Sequence, residues 1–166
     1  MTELSELELT SQNWTMIDRI EPKDPTLEQS WAILGKRNSA TLVGTLVDQF
    51  VGTPTQVEVF YEDLLAREEA KGDIAGFYHT HPTFKATPSD LDDKTMVSWV
   101  ISLGKPLISV IQGTDGVFAQ VYFTNGGKVV AEGPYPVSLI KSDSSTPRYL
   151  ILVDFRKTLN CRKVEE

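Results

Sequence analysis

Cysteine is nearly missing from this chain: of 166 residues only Cys161 carries a thiol. One thiol forms no internal disulfide and builds no Cys-rich metal site, so any metal must be held by histidine and carboxylate. Histidine is almost as scarce, with two in the whole sequence. Basic residues are outnumbered, 16 against 23 acidic ones, giving a formal charge of -7. That balance argues against a phosphate-backbone binder, which needs a concentrated basic face, so no nucleic-acid partner is expected. No apolar run approaches the roughly 20 residues that span a bilayer, and the opening MTELSELELT lacks the basic and apolar blocks of a secretory signal. No membrane partner is expected either. What is present is ordinary globular usage, 40% apolar and 23% charged, in a length suited to one domain. The expectation is a soluble, intracellular (cytoplasmic) protein with a single core.

Along the chain, a polar and frayed first dozen residues is followed by Trp14, Met16, Ile17 and Ile20, which predict a short amphipathic turn or helix ended by Pro22. Residues 27–35 form an apolar run closed by Gly35, short enough for a buried strand, with a helix as the alternative. Turn chemistry at residues 35–38 and a β-branched stretch at 40–51 make a hairpin. A turn at 52–54 and a strand near 57–61 come next, then good helix formers from Glu62 to the stop at Gly72. Residues 74–79 return as a strand and 82–88 as a loop. Ser89 starts a helix on which Leu91, Met96, Val97, Val100 and Ile101 recur near helical spacing. Strands follow at 107–111 and 117–123, then an Asn125-Gly126 hairpin turn, a loop at 141–147, a strand at 149–155 and a charged tail. The sum is an α/β (α+β) protein, one mixed sheet flanked by two or three helices in a sandwich. Trp31 and Trp99 read as core anchors, and Gly113-Thr-Asp-Gly116 as a hairpin turn.

The chemistry is concentrated in Gly76-Phe77-Tyr78-His79-Thr80-His81-Pro82 and Ser89-Asp90-Leu91-Asp92. On a strand, positions two apart share a face, so both imidazoles can meet at one point, while Tyr78 and Thr80 face the opposite side and the core. Pro82 ends the strand at a rim open to solvent. Asp92 lies in the first turn of the next helix, where the dipole favours an acid. Two imidazoles and a carboxylate suit Zn²⁺ and leave its fourth position open, as catalytic zinc requires. Ligands must be deprotonated, so affinity should fall in acid. A plainer role coexists, since Ser89-x-x-Asp92 is also a helix start with Ser89 as N-cap. Cys161 has no spare histidine partner, which argues against a thiol protease.

His79-x-His81-Pro82 and Ser89-x-x-Asp92, with seven residues between His81 and Ser89, together resemble the JAMM motif of the MPN-domain zinc metalloproteases. The order of hairpin, strand, helix, His-bearing strand, capped helix and further strands agrees with that family over about residues 25–132. The resemblance implies a JAB/MPN-like, cytidine-deaminase-like fold over residues 25–138, with residues 1–24 preceding it and a C-terminal extension over 139–166. It implies zinc on His79, His81 and Asp92, a Ser89 hydroxyl stabilising the oxyanion, and an upstream glutamate activating water. It also implies a ubiquitin-like protein or its conjugates as substrate, cleaved after the modifier's C-terminus. The family's glutamate lies seven residues before a glycine that closes an apolar strand. Aligning Thr41-Leu42-Val43-Gly44 puts Arg37 there; aligning Ala32-Ile33-Leu34-Gly35 puts Glu28 there and is preferred, because the hairpin then has the expected length. Glu58 and Glu62 are reserve candidates, with a solvated strand face and a helix-start acid as their plainer roles. Phe84, Lys85, Thr87 and Pro88 overlie the metal, as solvated loop or substrate contact. The alternative to an enzyme is an MPN-type scaffold that holds zinc or partners without a working base.

Overall fold

The computed structural model describes residues 13–38, 40–52, 61–145, 147–156 and 160–164. Its strands are β1 (Trp14–Ile17), β2 (Gln29–Arg37), β3 (Thr41–Val51), β4 (Ile74–Thr80), β5 (Leu107–Gly113), β6 (Gly116–Asn125), β7 (Lys128–Ser142), β8 (Tyr149–Asp154) and β9 (Asn160–Lys163). Its helices are α1 (Tyr61–Lys71) and α2 (Asp90–Leu103). The mixed α+β composition is as expected, and β strands dominate. The expected strand near 57–61, with Glu58, lies outside the described residues apart from Tyr61, which opens α1.

The sheet is not the layer of a sandwich. Its order runs β7-β6-β5-β4-β2-β3-β8, and β8 pairs with β7 again, so seven strands close into a barrel. Only β4 and β5 run parallel, with α2 as their crossover. Two features close the ring. β3 offers Thr41 to Thr45 to β8 along its outer edge. The 15 residues of β7 are enough to pair β6 from Lys128 to Pro136 and then β8 from Val137 to Lys141. Closure leaves no open edges among these seven strands. Two shorter strands extend β7. The segment read as a turn or helix at Trp14 is strand β1, drawn out by pairing with Leu139 to Ser142, and the charged tail contains β9, paired with Val130 to Gly133.

Alternation along each strand divides the core in two. Trp31, Ile33, Tyr78, Ile108, Val110, Val121 and Ile151 belong to the cluster filling the barrel. Ala32, Leu34, Ile74, Phe77 and Leu107 face the other way, against Leu64 of α1 and Met96, Trp99 and Val100 of α2. Leu91 and Ile101 depart from the expected stripe: they are exposed, because the buried face of α2 is set by Met96, Trp99 and Val100. β4 is therefore buried on both faces. It packs so closely on β5 that a Cβ at Gly76 would stand 1.8 Å from the Ile108 carbonyl oxygen, which only glycine avoids.

Candidate metal centre

The site forms where β4 ends under the start of α2. The His81 amide donates to the Gln112 carbonyl at 2.8 Å, carrying the β4–β5 ladder one step past the strand. On the inner face the buried Thr80 hydroxyl accepts from the Gln29 amide at 3.0 Å, and Tyr78 hydrogen-bonds the buried Gln112 side chain. These bonds leave the outer face to His79 and His81, both buried. β2 pairs Ser30 with His79, so Glu28, two residues earlier on the same face, emerges beside the histidines. The Glu28 carbonyl accepts from the Gly52 amide at 2.9 Å, which ties the start of β2 to the end of β3.

Ser89 caps α2 in extended backbone, with φ -77° and ψ 169°, and shares a reciprocal capping box with Asp92. The Asp92 amide donates to Ser89 Oγ at 3.1 Å, and the Ser89 amide donates to Asp92 Oδ2 at 2.8 Å. The same carboxylate faces the imidazoles. Asp92 Oδ2 lies 3.1 Å from His81 Nε2, Asp92 Oδ1 lies 3.3 Å from His79 Nε2, and the two Nε2 atoms are 3.1 Å apart. Donors bound tetrahedrally at zinc distances stand about 3.3 Å from one another. The two Nε2 atoms stand near that spacing, and the Asp92 carboxylate meets them with one oxygen each, Oδ1 toward His79 and Oδ2 toward His81.

The protonation pattern fits as well. His81 Nδ1 lies 2.9 Å from the Lys85 carbonyl oxygen. A carbonyl only accepts, so Nδ1 carries a hydrogen, and His81 can offer its Nε2 lone pair to a metal once that atom gives up the proton it donates to Asp92 in the metal-free protein. Nothing in the sequence pattern pointed to Lys85 in this role, because it acts through its backbone. Its loop is clamped to the β5–β6 turn. The Ala86 amide donates to Asp115 Oδ1 at 2.7 Å and the Thr114 amide to the Phe84 carbonyl at 2.9 Å. A Cβ at Gly113 would stand 2.2 Å from the Ala86 nitrogen. The Gly113–Gly116 turn was legible as a turn, its grip on the loop was not.

Glu28, His79 and His81 form a buried group whose ligand atoms all lie within 4.8 Å of one another and could hold a metal ion. Burial raises the Glu28 pKa above the ordinary carboxyl value; the histidines oppose that rise and Asp92 adds to it. Burial works against charge on Asp92 too, but its bonds with His79 and His81 hold its carboxyl well below the usual range. For His81, burial disfavours the cation, yet Asp92, the Lys85 carbonyl and Glu28 outweigh it and raise the pKa. A cleft of about 690 Å³, lined by Glu28, His81, Phe84, Lys85, Thr87, Ser89 and Leu91, opens onto the group.

The other sequence candidates stand apart from it. Arg37 lies at the far end of β2 with its guanidinium 5.3 Å from the centre of the Phe155 ring. Glu62 is an exposed acid in the first turn of α1. Cys161 is exposed on β9. Among the described residues, no helix is long and apolar enough to cross a membrane.

Among curated proteins, none matches this sequence. A family model described as prokaryotic homologs of the JAB domain matches residues 10–124, which take in β1 to β5, almost all of β6 and every residue of the group above. The chain belongs to this family of prokaryotic JAB-domain homologues.

Proposed function

We propose that this protein is a zinc-dependent isopeptidase or peptidase that hydrolyses the bond after the C-terminus of a ubiquitin-like modifier. The observation that carries this reading is the convergence of His79 Nε2, His81 Nε2 and the Asp92 carboxylate at 3.1–3.3 Å, with buried Glu28 beside them. His79, His81 and Asp92 would hold the ion. Zinc, when bound, supplies Lewis acidity toward a carbonyl and makes water a usable nucleophile near neutral pH.

The remaining steps belong to the side chains. Glu28 takes the proton of the attacking water and hands it to the departing amine; its raised pKa brings it nearer to working pH, where general bases act best. Ser89 uses its oxygen to accept from the Asp92 amide, which leaves its own hydrogen to donate to the oxyanion. Exposed Phe84 and Leu91 give the cleft an apolar rim for the segment around the scissile bond.

Zinc analysis of the purified protein, combined with cleavage of linear fusions to ubiquitin-like proteins, tests the reading. One zinc per chain and turnover are expected. Glu28→Gln should retain the zinc and lose about 10²–10⁴-fold in rate. Zinc uptake without turnover of any fusion would favour the scaffold alternative, and a metal-free wild type would end the hydrolase reading.

A further inference from the structure

The first turn of α2 is held a second time, from the side away from the cleft. Asp93 follows Asp92, so its carboxylate points about 100° round the helix. Two strands dock it. The buried Tyr122 of β6 brings its hydroxyl to Asp93 Oδ1 at 2.5 Å. Arg162 of β9 adds a two-point grip, Nη1 donating to Oδ2 at 2.8 Å and Nη2 to Oδ1 at 2.8 Å. The guanidinium also donates to Gln120 Oε1 at 3.0 Å, which ties it to β6. β9 itself is anchored by pairing Arg162 with Ala131 of β7. Arg162 lies beyond the matched residues 10–124, so this contact comes from a part of the chain outside the family match.

We infer that Arg162 is a positioning residue: by clamping Asp93 onto β6 and β9 it fixes the first turn of α2, and with it Asp92 and Ser89, over the end of β4. The consequence for zinc rests on the proposed role of Asp92 as a ligand. Helix ends fray, whereas a metal site tolerates displacements of only about 0.5 Å in its ligands. The capping box ties Ser89 to Asp92 but ties neither to the barrel. Asp92 reaches the end of β4 through His79 and His81, and the Arg162–Asp93–Tyr122 contact adds an anchor to β6 and β9. Partly exposed ion pairs add little global stability, so the effect of this one is local to the turn.

The test compares Arg162→Ala, Arg162→Lys and a remote control, Arg67→Ala, which removes the part-buried pair between Arg67 and Asp73. Amide hydrogen exchange is read on metal-free protein, and zinc affinity by competition with a chelator. Arg162→Ala should speed exchange at the Asp92 and Asp93 amides about tenfold, leaving Val100 unchanged, and weaken zinc about tenfold. Lysine keeps the charge but not the fork, so it should recover part of both. Arg67→Ala should move neither. The inference is overturned if Arg162→Ala exchanges and binds zinc like wild type, or if Arg67→Ala produces the same losses. If wild type takes up no zinc while Arg162→Ala still frees the two amides, the clamp stands and the ligand role of Asp92 falls.

Discussion

Asp92 caps α2 and faces two imidazoles with one carboxylate, so helix start and candidate metal centre cannot be altered independently at that position. Ser89 can separate them. Ser89→Ala removes the cap and the hydroxyl donor, and should cost about 0.5–2 kcal/mol of stability together with activity. Ser89→Asp restores a capping oxygen but no donor. Urea denaturation should show its stability returning while the hydrolytic rate stays low; recovery of both would remove Ser89 from oxyanion stabilisation. His81 gives the pH dependence. Its folded pKa is raised, so its contribution to metal-free stability is fully present below the ordinary value of 6.5 and is lost as pH rises through the folded value. The same shift makes protons compete with zinc from a higher pH. Zinc titrations should therefore weaken on acidification, starting above 6.5; affinity unchanged down to the carboxylate range would contradict the assignment. That His79, His81 and Asp92 meet at one place was legible because strand period and helix start constrain it. Glu28 was ambiguous for a physical reason: β2 and β3 both carry apolar runs ended by glycine, and Gly35 and Gly44 face each other across the hairpin. A Cβ at Gly35 would stand 2.4 Å from the Val43 carbonyl oxygen, so close packing demands glycine there and creates two similar motifs.

Elements position the histidines through contacts between segments distant in the chain. The loop over the site rests on the β5–β6 turn, and Asp115 holds Ala86 from 29 residues away. Asp115→Ala should cost about 1 kcal/mol for the lost bond and, by loosening the Lys85 carbonyl behind His81, weaken zinc about tenfold. Gly113→Ala should do both more severely, because its Cβ meets backbone and no side-chain rotation relieves it. Chelator competition on the two variants checks this; full zinc affinity in both would show that the loop does not orient His81. α1, α2 and the β2–β3 hairpin were legible from helix formers, Ser89, and turn chemistry near Asn38, but the turn expected at residues 35–38 is displaced, because residues 35–37 continue β2 in pairing with residues 42–44 of β3. β1 was not, because its strand form comes from pairing with β7 rather than from local pattern.

The whole molecule is a barrel whose closing strand comes late. β8 joins β3 to β7, and Ile151 and Val153 fill the interior from it. Ile151→Ala should therefore cost about 2–5 kcal/mol, as a buried core residue does, measured by urea denaturation; a loss below 1 kcal/mol would mean that β8 is peripheral. A closed ring was not legible because its last pairing joins residues 41–45 to 150–154, a distance over which local periodicity carries no information. The central claim is narrower: two imidazoles and the capping carboxylate share one ion, and Glu28 stands by as base. The most direct measurement is a crystal structure of the zinc-loaded protein with anomalous data at the zinc edge. The account predicts a single zinc bonded to His79 Nε2, His81 Nε2 and Asp92, with its remaining position open toward Glu28. A zinc bonded by Glu28 as a fourth protein ligand, or held away from Asp92, would contradict it.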